Sequence, residues 1–130
     1  VIVVDASALI EVLLRTPATP AVEHYLFAPG QTWHAPHLLD VEVAQVIRRY
    51  AAKGDIDAER GRAALTDLAD LPMQRYPHDF LLPRVWALRH NVTAYDAVYV
   101  SLAEALDAVL LTRDARLAAS AGHLARVVLV

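Results

Sequence analysis

VIVVDASALIEVLL, residues 1–14, changes its pattern at Asp5. Val1 to Val4 is a continuous apolar run, β-branched throughout, as suits a strand buried on both faces of a parallel sheet. Ser7 to Leu14 reads as a helix. Asp5 therefore stands where a strand becomes a helix. LLTRDARL, residues 110–117, repeats the theme: the apolar run ending at Thr112 is followed by Asp114. Two buried strands that pass directly into helices imply a parallel sheet. In such a sheet the C-terminal strand ends share one edge, where ligands bind.

The intervening text alternates in the same way. Pro17 and Pro20 break or restart the chain, Ala21 to Ala28 reads as a short helix, and Pro29-Gly30 as a turn. Thr32 to Ala35 is a short strand closed by Pro36. Leu39, Val43, Val46, Ile47 and Tyr50 recur at helical spacing and form one apolar stripe. Gly54 ends that helix, after Arg48, Arg49 and Lys53, whose charges suit its C-terminal dipole. Asp57 to Asp70 is a helix of mixed charge, Met73 to Tyr76 a strand, and Phe80 to His90 a helix with Pro83 near its start. Thr93 caps an apolar helix over Ala94 to Leu106. Val109 to Thr112 is a strand, Ala115 to Ala121 a helix, and Arg126 to Val130 the last strand. The alternation predicts an α/β sandwich with a parallel sheet and right-handed crossovers.

At 130 residues the chain has the size of one domain, residues 1–130, with no linker or repeat. An apolar fraction of 56% excludes disorder and is generous for a monomer, so a homodimer is expected. There is no cysteine. Disulfides and thiolate metal sites are thereby excluded, and a reducing, cytoplasmic location is expected. Charges interrupt every apolar run, so no membrane span is expected. VIVV lacks a basic flank and does not read as a signal peptide. The chain begins at Val rather than Met, and an initiator residue is expected before it.

Four acids mark strand-to-helix junctions or early helix turns: Asp5, Glu42, Asp96 and Asp114. Each except Glu42 has a simpler reading. Asp5 and Asp114 sit at helix starts, and Thr93-x-x-Asp96 forms a capping box. Glu42 resists that explanation. Its helical neighbours are Leu38, Leu39 and Val46, so it flanks the apolar stripe, where a carboxylate is partly desolvated and wants a partner. Asp40 reads as a first-turn dipole residue. Four carboxylates that meet at one sheet edge repel one another unless protons or a hard divalent cation neutralise them.

Other site chemistries lack support. His34-x-x-His37 straddles Pro36, there is no H-E-x-x-H, and zinc is not expected. The four glycines are not grouped, which argues against nucleotide binding. Trp33 and Trp86 read as core or interface anchors rather than base-stacking platforms. The net charge of −3 is unusual for a nucleic-acid binder. Metal bound by the four acids would remove most of that repulsion. Attraction to a polyanion would then rest on local groups such as Arg48, Arg49, Arg113 and Arg116.

Asp5 with Ser7, Glu42, Asp96 and Asp114, in that order, resembles the PIN-domain nucleases, and more narrowly the VapC-type toxins of bacterial toxin–antitoxin pairs. VVDASAL, E-V-A-Q-V-I-R-R, YDAVYVSLAEAL and LLTRDARL carry the resemblance across the whole chain. It implies a parallel sheet of about five strands flanked by helices. It implies Mg²⁺, with Mn²⁺ as substitute, held by Asp5, Glu42, Asp96 and Asp114, with Ser7 and Thr112 as supporting hydroxyls. It also implies an RNA substrate, a homodimer and a cognate antitoxin that blocks the site. Carboxylate-held metal suits phosphodiester hydrolysis, by in-line attack of water that leaves a 5′-phosphate and a 3′-hydroxyl. A phosphatase or phospho-acceptor domain would want Asp where Ser7 stands, or Lys where Arg113 and Asp114 stand. A non-catalytic binding module on the same fold would have no need of all four acids.

Overall fold

The computed structural model describes residues 1–130. Five short strands form one parallel sheet: β1 (Ile2–Val4), β2 (Trp33–Pro36), β3 (Met73–Tyr76), β4 (Val109–Thr112) and β5 (Arg126–Leu129). Their order is β3-β2-β1-β4-β5. Ile2, Val3 and Val4 pair with β4 on one side, while Ile2 and Val3 pair with β2 on the other. β1 is thus the central strand, buried as its unbroken apolar text requires. The chain steps outward from β1 to β2 and β3. It then returns to lay β4 and β5 on the other flank. The reversal at β1 places a crevice at the C-terminal strand ends.

The helices are α1 (Ala6–Leu14), α2 (Thr19–Leu26), α3 (Leu38–Ala52), α4 (Ala58–Asp70), α5 (Leu82–Ala87), α6 (Ala94–Leu106) and α7 (Ala115–Ala118). α1 packs against α2, α3 and α4, whereas α6 packs on β1, β2, β4 and α5. The stripe on α3 turns inward, with Leu39, Val43 and Ile47 buried. α6 buries every residue from Ala97 to Ala103, so its first turn is fixed against the sheet. No helix is long and apolar enough to cross a membrane.

Three helices differ from the sequence expectation. α2 starts at Thr19, two residues before the expected Ala21, because Pro20 fits a first helical turn and restarts the chain there. The stretch expected as one helix over Phe80 to His90 is a 3₁₀ turn, Asp79–Leu81, followed by the short α5 with Pro83 in its first turn. It stops early because the Asn91 and Val92 N–H groups both return to the Leu88 carbonyl, closing a turn. α7 ends at Ala118, not Ala121. Ser120 takes the Leu117 carbonyl with both its N–H and its hydroxyl. Gly122, at φ +86°, then redirects the chain toward β5.

The two tryptophans part company. Trp33 is buried, and its indole N–H donates to the Leu26 carbonyl at the end of α2, 2.7 Å away. Trp86 is 68% exposed and is no core anchor. Arg75 on β3 donates to both oxygens of Asp40, at 2.8 and 3.1 Å, and so pins the start of α3 to the sheet edge. Replacing Trp33 by Phe keeps an aromatic side chain but removes the indole N–H and the second ring, and so strands the Leu26 carbonyl. Urea unfolding of Trp33→Phe should show a loss of about 1–3 kcal/mol.

Candidate active site

Asp5 follows β1 directly and occupies the N-cap position of α1, yet its side chain makes no capping bond. Its Oδ2 instead accepts from the Ser7 hydroxyl at 2.6 Å and the Thr112 hydroxyl at 2.7 Å. The two hydroxyls lie 3.2 Å apart, but each has already given its one proton to Asp5. Each hydroxyl oxygen also accepts one backbone N–H. The Arg113 N–H donates to Ser7 and the Asp114 N–H to Thr112, both at 3.0 Å. Oδ2 is thus held from α1 and β4 together, while Oδ1 accepts from no side chain.

Glu42 lies in the second turn of α3, half-buried. Its Oε1 accepts from the Tyr99 hydroxyl at 2.6 Å, and Oε2 has no partner. Asp96 sits in the first turn of α6. The cap there is Thr93, which accepts the Asp96 N–H at 3.2 Å. Asp114 is a true cap. Its Oδ1 accepts from the N–H groups of Arg116 and Leu117, at 2.9 and 3.3 Å. Arg116 reaches Oδ2 of Asp114 at 3.3 Å and Oδ2 of Asp96 at 3.6 Å.

All four acids line one open cavity of about 500 Å³, together with Ser7, Gln45, Arg49, Tyr95 and Arg116. A larger hollow of about 910 Å³ lies at the opposite, N-terminal ends of β2 and β3; His34 is its only ionisable residue. Of the four arginines singled out in the sequence, Arg49 and Arg116 reach the acidic cavity. Arg48 does not, and bonds to Gln45. Arg113 turns instead to Glu11, at 3.4 Å, and to the Val130 carbonyl. Asp40, held by Arg75, lies outside the cavity.

The acids feel one another. Burial pushes the Asp5 carboxyl above its ordinary value, against the pull of Ser7 and Thr112, and Asp114 adds to the rise. Burial likewise raises Glu42, with repulsion from Asp5 and Asp96. Asp96 is raised by burial and then by Asp5, with Arg116 acting in opposition. Buried Tyr99 is raised well above 10.0, so it stays a proton donor to Glu42. No three acids converge closely enough to ligate an ion as they stand. Their chemistry nevertheless fits a hard divalent cation: all donors are oxygens, Arg116 is the only cation paired with any of the four carboxylates, and Asp5 Oδ1 and Glu42 Oε2 accept from no side chain.

Tyr99 was missed by the sequence reading. It lies three residues after Asp96 in YDAVYV, hence on the same helix face, and that spacing was the available signal.

A sequence profile of the PIN domain matches residues 2–122. The chain belongs to the PIN-domain family. It is 48% identical over 121 residues to Ribonuclease VapC1 of Mycobacterium tuberculosis, a match covering 92% of this chain and 90% of that protein. It is 42% identical over 129 residues to Ribonuclease VapC12 of the same organism, covering 99% and 98%. Among solved structures, a toxin–antitoxin complex from Klebsiella pneumoniae shares the fold with a TM-score of 0.65 at 20% identity, covering 92% of this chain and 91% of that one.

The pKa shifts fix the sign of a pH effect. The pKa values of Asp5, Glu42 and Asp96 are raised on folding, so their contribution to stability is full below the ordinary values of 3.8 and 4.5. It is lost as pH rises through the raised values. Glu42→Gln removes one of these groups. In EDTA, thermal melts from pH about 4 to about 8 should show a shallower decline for the variant than for the parent.

Proposed function

We propose that the chain is a metal-dependent endoribonuclease, the toxin of a toxin–antitoxin pair, with residues 1–130 acting as one nuclease domain. The observation that carries this reading is the meeting of Asp5, Glu42, Asp96 and Asp114 around one cavity at the C-terminal edge of the sheet. Four mutually repelling carboxylates make a poor surface for any ligand until a cation joins them. Near full-length similarity to proteins named as VapC ribonucleases supports the choice of RNA.

Asp5, Glu42, Asp96 and Asp114 are assigned as the holders of Mg²⁺, or Mn²⁺ in its place. When bound, such an ion neutralises the phosphate and makes a nearby water more acidic. The chain's own contribution is placement. Ser7 and Thr112 keep Asp5 from rotating. Tyr99 fixes Glu42 by one oxygen and leaves the other free. Asp114 commits Oδ1 to α7, so only Oδ2 is available. Arg49 and Arg116 are assigned to RNA contact, since Arg48 and Arg113 do not reach the cavity.

A cognate antitoxin would inhibit by setting a basic side chain among the acids in place of metal. The Klebsiella pneumoniae neighbour, a toxin–antitoxin complex, is in keeping with such a partner. Phe80, Leu82 and Trp86, exposed by 54%, 52% and 68%, give an apolar surface suited to a homodimer. We place the activity in the cytoplasm, where RNA is available and a chain without cysteine is at home.

Purified protein with Mg²⁺ or Mn²⁺ should cut a structured RNA, leaving 5′-phosphate ends, and EDTA should stop it. Asp5→Asn and Asp96→Asn should be folded by circular dichroism yet inactive. Cleavage by both variants would overturn the assignment. Light scattering at micromolar concentration should give twice the chain mass, and a monomer would remove the homodimer.

A further inference from the structure

A second cleft adjoins the acidic cavity and differs from it in sign. It has a volume of about 320 Å³ and lies between the turn after α5 and α7. Asp96 and Arg116 belong to both hollows and form the wall they share, so the two are adjacent. In the second cleft Asp96 is the only acid, against Arg89, His90 and Arg116. Asn91, Thr93 and Ser120 add hydrogen-bonding groups. We infer that this cleft is the subsite that grips RNA backbone phosphates next to the bond being cut. The inference rests on the ribonuclease reading and adds the path of the substrate.

Three features suit the cleft to a polyanion. Arg89 has no carboxylate within ion-pair distance. It is steadied by the Trp86 carbonyl at 3.0 Å and by the Trp86 ring, whose centroid lies 4.5 Å from the guanidinium. Its charge is thus held in place but not neutralised. The wall is braced as well: a Cβ on Gly122 would come within 2.7 Å of Asn91 Cγ, so the Gly122 backbone closes tightly on that side chain. Finally, Arg116 is mostly exposed and sits at the junction, paired only with Asp96 and Asp114. A cation bound by those acids would compete for their charge and release the guanidinium toward a phosphate.

The test uses the full chain carrying Asp5→Asn to prevent cleavage, in Mg²⁺, with a short fluorescent single-stranded RNA of mixed sequence. Anisotropy titrations over a series of salt concentrations give the salt slope of affinity. Each arginine that neutralises a phosphate contributes about 0.7 to that slope on a single strand. Arg89→Ala and Arg116→Ala should each make it shallower by about that amount and weaken binding several-fold. Arg89→Lys and Arg116→Lys should restore the slope, because the charge is kept. Arg62→Ala, on the exposed face of α4 beside Glu59, should leave it unchanged. RNA bound with the same slope by the Arg89 and Arg116 variants would overturn the subsite while leaving the ribonuclease reading intact. An equal loss in Arg62→Ala would also overturn it, by showing diffuse attraction. If the unmodified chain neither cuts nor binds RNA, the ribonuclease reading fails, and the subsite with it.

Discussion

Asp5 is 8% exposed at the end of the central strand, and a carboxylate there must be supplied with donors. Much of the local structure follows from how that is done. One oxygen takes the hydroxyls of Ser7, at the start of α1, and Thr112, at the end of β4. Those hydroxyls in turn accept the backbone N–H groups of Arg113 and Asp114. A single acid therefore ties β1, α1, β4 and the entry to α7 into one network. Because one oxygen absorbs both hydroxyls, the other is left without a side-chain donor at the cavity lining. Burial and fixation are the means by which the fold presents a free carboxylate oxygen in a defined place.

The other acids are supported in different ways, and the differences carry meaning. Glu42 is steadied by Tyr99 from α6, which couples the second turn of α3 to the helix that also bears Asp96. Asp96 lies beside its cap without being one. Asp114 caps α7 with one oxygen and meets Arg116 with the other. Cap and site residue are therefore not exclusive roles, since a carboxylate has two oxygens to spend. The three raised carboxyl pKa values express what the assembly costs: burial dominates each, and neighbouring acids add to it. A structure built for stability alone would not gather these charges.

The sheet was legible from β1 and β4, which are short and almost wholly apolar and pass directly into helices, whereas β3, with Gln74 and Arg75 among its four residues, was betrayed only by its place in the alternation. The α3 stripe was legible from spacing, and its burial follows it. Proline was the least transparent residue. Pro20 initiates α2, and Pro83 opens α5, yet in the text each could be taken for a break or an interior residue. The ends of α5 and α7 depend on where Leu88 and Leu117 send their carbonyls, which no periodicity reveals. The convergence of the four acids on one cavity was foreseeable from their junction positions. Tyr99 was hidden in a helix that is apolar on nearly every side, where one hydroxyl makes no visible pattern. Arg48 and Arg49 are adjacent in the sequence, but only Arg49 reaches the cavity, because neighbouring helical residues face different ways.

The overall charge of −3 gave a misleading picture of how this surface meets a polyanion. Many of the cations are spent within the fold. Arg75 pairs with Asp40, Arg84 with Glu104, Arg113 with Glu11 and Arg126 with Asp107. Arg49 and Arg89 have no such partner, and Arg116 has only acids of the cavity. Arg48 and Arg60 are also without an acid and lie elsewhere, but Arg49, Arg89 and Arg116 stand at the border of the densest negative charge. That placement, which a sum over the chain erases, keeps attraction and repulsion within one cleft's width of each other. A cation entering the acidic cavity would shift the balance most strongly at Arg116, the one side chain that belongs to both regions.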